Sequence, residues 1–127
     1  AWEIASVSTS GSELFNLLET LPSGHTAEIS GASVKPILSF RSESGSYCRE
    51  FQQEDSARSS RAVACRAKNS WETQFVVFQA SNAAKNVEFS TASSMEEQKF
   101  AELVTSLMVG DALSQEEEES MLGHWSR

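Results

Sequence analysis

The amino-acid sequence predicts one α+β domain: an antiparallel meander sheet of about five strands, with one helix before it and two after it packed on one face. Three observations support this fold. The 127 residues fit a single domain, and they are 39% hydrophobic and 22% charged, as in ordinary globular proteins. A leucine-rich segment with helical spacing precedes a series of short β-type runs. Two segments with helix-capping patterns follow those runs.

The first helix is predicted from four leucines between Leu14 and Leu21, whose spacing places them on one side of a helix. Pro22 and Gly24 are typical of its end. The last helix is predicted from the pattern Ser114-Gln115-Glu116-Glu117, in which serine and glutamate cap the first turn reciprocally. The four consecutive glutamates there are expected to be a solvated helix start, and Trp125 is expected to pack back onto the domain.

The middle helix is predicted to begin at the capping pattern Ser94–Glu97 and to stop near Gly110. Its residues Phe100, Val104 and Met108 lie on one face at helical spacing. No linker or repeat divides the chain, so residues 1–127 are expected to be a single domain, with residues 1–9 as a residual linker.

Five β-type runs, separated by turn residues, make up the middle of the chain. Because the connections between them are short, the strands are expected to pair sequentially and antiparallel. The runs are Ala27–Ser30, Ser33–Arg41, Ser46–Gln52, Arg61–Arg66 and Trp71–Gln79.

The two cysteines fall opposite each other in the most direct strand register. If the loop between the third and fourth strands is centred near residue 56 or 57, Cys48 faces Cys65 at a Cβ distance of roughly 4.5 to 5.5 Å, within reach of a disulfide. Two free thiols are the alternative. His25 and His124 have no zinc-ligand spacing to the cysteines, so no metal site is expected. A bridge would indicate an oxidising compartment such as the periplasm.

The same register predicts what each face of the sheet carries. Arg66 would lie between aromatic rings in a cross-strand row, and cation–π contacts would stabilise it. That face is the more apolar one and is expected to lie under the helices, whereas the face of the cysteines is expected to be polar. The row consists of Phe40, Tyr47, Arg66 and Trp71, and Phe51, Ala62 and Phe75 lie on the same face.

Arg49 falls on this apolar face, where a cation must find a negative partner. One interpretation is an ion pair with a glutamate of a helix; the other is a site at the rim for a carboxylate or phosphate group. Together with Tyr47, Arg66 and Trp71, Arg49 forms the predicted recognition patch.

Charge and composition exclude several classes of function. The net charge is -8 and the ten basic residues are scattered, which argues against nucleic acid and anionic membrane surfaces as partners. No apolar run approaches the roughly 18 residues of a membrane span, so no direct membrane insertion is expected. No catalytic motif is present, both histidines fall in turns, and neither an enzyme nor a cofactor is expected. Because the chain begins at Ala1 without methionine, it is expected to be part of a longer precursor.

Several motifs resemble known families. They are Leu18–Gly24, Ser39–Arg41, Gly45–Phe51, Ala64–Arg66 and Trp71. Together they resemble the C-terminal extracytoplasmic region of bacterial membrane proteins described as anti-sigma-factor-like. The run Cys-Arg-Glu-Phe, the later Ala-Cys-Arg and the tryptophan are also similar to the C-terminal region of small outer-membrane surface antigens. The resemblance covers roughly residues 14 to 79.

The first resemblance implies a non-catalytic periplasmic sensor or interaction domain of a regulator anchored by one helix in the inner membrane. Its partner would be an unidentified protein or small ligand, and a homodimer is left open. The second resemblance implies a structural module of the cell envelope without a signalling role. A small-molecule binder or an enzyme with a cavity between sheet and helices is the third hypothesis.

Overall fold

A computed structural model of the chain describes residues 12–29, 31–56, 58–80 and 90–125. Helix α1 (Ser12–Thr20) precedes the sheet, and helices α2 (Ser90–Leu107) and α3 (Gln115–Met121) follow it. The strands are β1 (Ala27–Ile29), β2 (Ala32–Arg41), β3 (Tyr47–Glu54), β4 (Arg58–Arg66) and β5 (Trp71–Ala80). The linker predicted at residues 1–9 lies outside the described residues.

The five strands form one sheet in the order β1-β2-β3-β4-β5, and each neighbouring pair is antiparallel. The predicted α+β meander is therefore confirmed. The pairing of β3 with β4 places Cys48 opposite Cys65, and the two sulfur atoms are bonded at 2.05 Å. The register predicted for this central hairpin and its disulfide are both confirmed.

A β-bulge shifts the pairing of β2 with β3 between Pro36 and Leu38. Beyond the bulge, Phe40 lies opposite Cys48 instead of opposite Tyr47. Because one extra residue in a strand turns the following side chains to the other face, Phe40 leaves the predicted aromatic row. It joins the face of the cysteines.

A second bulge lies between β4 and β5. Ala64 pairs with Thr73, but its neighbour Val63 pairs with Phe75, so Gln74 is the extra residue. Phe75 thereby changes face in the same way as Phe40. The face that carries Cys48, here called the cysteine face, gains two aromatic rings from these two bulges.

The helices cover both faces of the sheet, which corrects the prediction that all three share one face. Helices α1 and α3 cover the arginine face, defined by Tyr47, Arg49 and Phe51. Helix α2 covers the cysteine face, where the rings of Phe75 and Phe100 lie 5.2 Å apart. The prediction failed because the bulges make the cysteine face apolar enough to bury a helix. The buried core of that face consists of Phe40, Cys48, Val63, Phe100 and Val104.

The connection from α2 to α3 runs along the edge of β2. Strand β1 pairs only with residues 32–34, and the segment Met108–Leu113 lies beside the later part of β2. The backbone N–H of Val109 donates to the carbonyl of Arg41, and that of Leu113 donates to the carbonyl of Ser39, both at 2.8 Å. The segment thereby carries the chain from the cysteine face to the arginine face.

Candidate functional site

A polar pocket surrounds Arg49 in the middle of the arginine face. The Arg49 side chain comes from β3 and is fully buried. Its Nη1 donates to the carbonyl of Leu18 at 2.6 Å, and its Nε donates to Ser39 Oγ at 2.9 Å. Its Nη2 lies 3.5 Å from Ser23 Oγ, in the turn after α1. These four residues, Leu18, Ser23, Ser39 and Arg49, are called the arginine pocket.

The carboxylate of Glu118, from α3, fills the arginine pocket. Its Oε1 accepts the backbone N–H of Ser23 at 2.9 Å. Its Oε2 accepts the hydroxyls of Ser23 and Ser39 at 2.5 and 2.6 Å and lies 3.3 Å from Arg49 Nη2. Arg49 is therefore paired with a helix glutamate, as the first interpretation of this residue predicted.

Both members of the pair are charged at neutral pH. Burial lowers the pKa of Arg49 to about 10, although the carboxylate of Glu118 acts in the opposite direction. Burial alone would raise the pKa of Glu118. The hydrogen bonds from Ser23 and Ser39 and the charge of Arg49 outweigh burial, so this pKa lies below its ordinary value of 4.5.

This depressed pKa predicts an acid-sensitive contribution to stability. Because the folded protein holds Glu118 ionised more strongly than the unfolded chain does, its contribution is complete above pH 4.5 and is lost as the pH falls through the folded pKa. We expect the free energy of unfolding of the wild type and of Glu118→Ala to converge on acidification. Urea unfolding at a series of pH values measures this difference, and a constant difference down to about pH 2 would contradict it.

Trp125 is the second point at which the C-terminal segment is anchored. Its ring is almost fully buried and makes edge contacts with Tyr47 and Trp71, at centroid distances of 5.9 and 5.7 Å. The guanidinium of Arg49 lies 5.2 Å from the ring centroid, within the range of a cation–π contact. The indole N–H donates to the carbonyl of Glu19 at 2.8 Å. The expectation that Trp125 packs back onto the domain is confirmed.

Glu19 joins the end of α1 to the far edge of the sheet. Its Oε1 accepts from Arg66 Nε at 2.6 Å and from the indole N–H of Trp71 at 3.0 Å. Arg66 also donates to the carbonyl of Ala67, and its guanidinium lies 5.1 Å from the ring centroid of Phe15. Arg66 lies opposite Trp71 in the sheet, as predicted. The predicted cation–π contact with sheet aromatics is corrected, because α1 supplies both the ring that the guanidinium contacts and its carboxylate.

Three of the four residues of the predicted recognition patch, Tyr47, Arg49 and Trp71, contact Trp125. Arg66 is linked to them through Glu19, which accepts from both Arg66 and Trp71. Arg49 and Trp71 are buried, however, and Tyr47 and Arg66 are half-buried. In the folded domain the group lines a core, and binding of a partner through it stays a prediction. Sequence reasoning did not single out Glu19, and it treated Glu118 only as one of a solvated glutamate run. That run is exposed except for Glu118.

Removing the indole N–H tests the anchor at Trp125. We expect Trp125→Phe to lower the free energy of unfolding by about 1–2 kcal/mol, because a buried hydrogen bond is lost and the smaller ring fills less space. Urea unfolding followed by circular dichroism measures the change. The matched control is His124→Ala, since the neighbouring His124 side chain is exposed and its removal is expected to have almost no effect.

A second buried carboxylate lies on the cysteine face. Burial raises the pKa of Glu50, and the positive charge of Arg61, whose Nε lies 3.6 Å away, offsets this only in part. Both histidines are exposed in turns, as expected. Within the described residues, no cluster of histidine, cysteine and acidic side chains is arranged to hold a metal ion.

The fold and the pocket define a class of protein: an α+β domain with a disulfide across its central hairpin and a buried arginine–glutamate pair under its C-terminal segment. The family model of the 17 kDa outer membrane surface antigen matches residues 18–72, less than half of the chain. No curated protein and no solved structure matches this chain. The match supports the similarity to surface antigens, whereas nothing supports the resemblance to anti-sigma-factor-like proteins. None of the described helices is long and apolar enough to cross a membrane.

Proposed function

We propose that this chain is a non-catalytic, extracytoplasmic domain of the bacterial cell envelope that acts as a structural module similar to the surface antigens. The observation that carries the proposal is the family match over residues 18–72. The matched stretch contains both bridged cysteines, Cys48 and Cys65, and three pocket-forming side chains, Ser23, Ser39 and Arg49.

The disulfide supports an extracytoplasmic location on physical grounds. Disulfides persist in oxidising compartments such as the periplasm and the cell surface, and glutathione and thioredoxin keep most cytosolic thiols reduced. The bond joins the two central strands, and Cys48 lies in the core beneath α2. A bond in that position stabilises the central hairpin by restricting the unfolded chain.

The hydrogen bonding of the buried ionisable groups supports a role without catalysis. The hydrogen-bonding groups of Arg49 and Glu118 are used within the fold, for contacts with each other and with Leu18, Ser23 and Ser39. A shallow depression on the outward face of α2 is open to the solvent, so it does not exclude water. It is lined by Gln98, Ala101, Glu102, Thr105 and Ser106.

Fractionation of the native cells tests the proposal. Thiols are blocked before lysis, the cytoplasm, periplasm, inner membrane and outer membrane are separated, and an antibody raised against the domain locates it. We expect the domain in the envelope, with Cys48 and Cys65 protected from alkylation. Recovery from the cytoplasm with both thiols alkylated would overturn the proposal.

The same fractions distinguish the two envelope hypotheses. A structural module similar to the surface antigens is expected in the outer-membrane fraction. Recovery in the inner-membrane fraction, on a precursor with one transmembrane helix before Ala1, would instead favour the membrane-anchored regulator. The mass of the chain recovered from each fraction shows whether that transmembrane helix is attached to it.

A further inference from the structure

Two side chains anchor the C-terminal segment Ser114–Trp125, here called the latch. Glu118 is 5% exposed and Trp125 is 2% exposed. The other charged side chains of α3, at Glu116, Glu117 and Glu119, face the solvent. Because α3 has only seven residues and isolated helices of that length are unstable, the latch keeps its form through docking.

The arginine pocket is built entirely from residues that lie outside the latch. Its four hydrogen-bonding residues come from α1, the turn after α1, β2 and β3, and they hold one another through Arg49. All four lie within the stretch that matches the surface-antigen family, and the latch follows that stretch by about forty residues. The pocket and its occupant are therefore separate parts of the chain.

The segment that joins the latch to the rest of the domain is suited to a change of direction. It lies at the sheet edge, attached there by the hydrogen bonds of Val109 and Leu113 to β2. Between them, Gly110 has a φ of 73°, a conformation that residues with a Cβ rarely adopt. Val109, Gly110 and Asp111 are all exposed, so the backbone of this turn can change direction without moving a buried side chain of its own.

We propose that two copies of this chain exchange latches, so that the latch of each copy docks in the arginine pocket of the other. The pocket recognises a carboxylate with two hydroxyls, a backbone N–H and a guanidinium, and an indole packs beside it. The segment that carries this carboxylate and this indole is the latch itself. A second copy therefore supplies a matching occupant, and exchange remakes every contact without requiring a new interface.

Two charge-removing variants test the exchange in the full chain. Arg49→Met leaves a latch whose Glu118 has no arginine, and Glu118→Ala leaves a pocket whose Arg49 has no carboxylate. In a mixed dimer with exchanged latches, one site pairs Arg49 with Glu118 and the other pairs methionine with alanine. The mixed dimer thus contains no unpaired buried charge, whereas each separate variant does.

We expect equimolar mixing of the two variants to give a heterodimer. Its association should be about tenfold or more tighter than the self-association of either variant, because only the mixed pair relieves the unpaired charges. Size-exclusion chromatography with light scattering measures the dimer, and native mass spectrometry with one isotope-labelled variant shows that it contains both chains. The matched control replaces Glu118→Ala with Glu119→Ala, whose latch is intact. Mixing it with Arg49→Met relieves no unpaired charge, so the heterodimer is expected to associate no more tightly than Glu119→Ala does with itself.

Either single variant could fail to fold before the two are mixed. Two further measurements test the exchange in that case. A chain with both Arg49→Met and Glu118→Ala carries a neutral pair and is expected to fold. If this double variant folds and the mixture of single variants gives neither a heterodimer nor recovered circular dichroism, the proposal is wrong. Labelled and unlabelled wild-type chains, mixed at high concentration at about pH 3 and returned to neutral pH, should also form mixed dimers. Recovery of monomers alone would equally overturn the proposal.

Discussion

Replacing Glu118 with alanine is expected to lower the free energy of unfolding at neutral pH by about 3–5 kcal/mol, the range observed when one member of a buried ion pair is removed. The reason is the position of Arg49, which has no exposed surface. Without the carboxylate, the guanidinium remains in the core with only neutral acceptors, and the hydroxyls of Ser23 and Ser39 lose their common acceptor. Urea unfolding followed by tryptophan fluorescence and circular dichroism measures the loss.

Two variants separate the loss of the pair from a general effect on α3. Glu119→Ala changes the next residue of the same helix, whose side chain is exposed, and is expected to change the free energy of unfolding by no more than about 0.5 kcal/mol. Arg49→Met combined with Glu118→Ala should recover most of the stability, because a neutral, well-packed pair carries no desolvation cost of charge. If Glu118→Ala costs no more than Glu119→Ala, the ion pair does not hold the latch.

The central hairpin could be predicted from the sequence because its register depends on local features. A short polar loop fixes which residues of β3 and β4 lie opposite each other, and the two cysteines provided an independent check on that register. The helices could be predicted for a similar reason, since helical spacing and capping involve residues close in sequence. The capping box of α3 is present, with Ser114 and Glu117 bonded reciprocally.

The two bulges were not predicted, because no particular residue type marks the extra residue of a bulge in the sequence. Ile37 and Gln74 are ordinary strand residues. An indirect signal was present in the apolar runs Pro36–Leu38 and Phe75–Phe78, which do not alternate with polar residues. Continuous apolar runs are typical of strands covered on both faces, so these runs indicated a second layer of helix. Strict alternation was assumed instead, and all helices were placed on one face.

Of the site, the sequence predicted only that Arg49 needs a partner of opposite charge. Burial of Arg49 beneath helices demanded a negative partner, either a glutamate or an anionic ligand. The choice of Glu118 depends on how α3 docks, which is a tertiary property. One local signal distinguishes Glu118 from its neighbours: Met121 and Leu122 follow it by three and four residues, so it shares their helix face. Glu19 gave no comparable signal, because its partners Arg66 and Trp71 come from the far side of the sheet.

Reducing the Cys48–Cys65 bond is expected to lower the free energy of unfolding by about 3 kcal/mol, the value that the chain-entropy relation gives for a loop of this size. The cysteines are 17 residues apart in sequence, and the bond restricts the unfolded chain over that loop. The folded sheet should survive reduction, because the register of β3 and β4 is also fixed by their backbone hydrogen bonds and by the core on both faces. Urea unfolding with and without reductant measures the difference.

Substitution of both cysteines distinguishes the effect of the bond from that of the sulfur atoms. Cys48→Ala with Cys65→Ala is expected to lose the same stabilisation plus a further loss from Cys48, whose side chain packs in the core with Val63 and Val104. Reductant should leave this double variant unchanged, which is the control for nonspecific effects. A reduced wild type as stable as the oxidised protein would show that the unfolded hairpin is already restricted without the bond. In that case the stabilising effect attributed to the bond would be wrong, although its geometry in the folded sheet would stand.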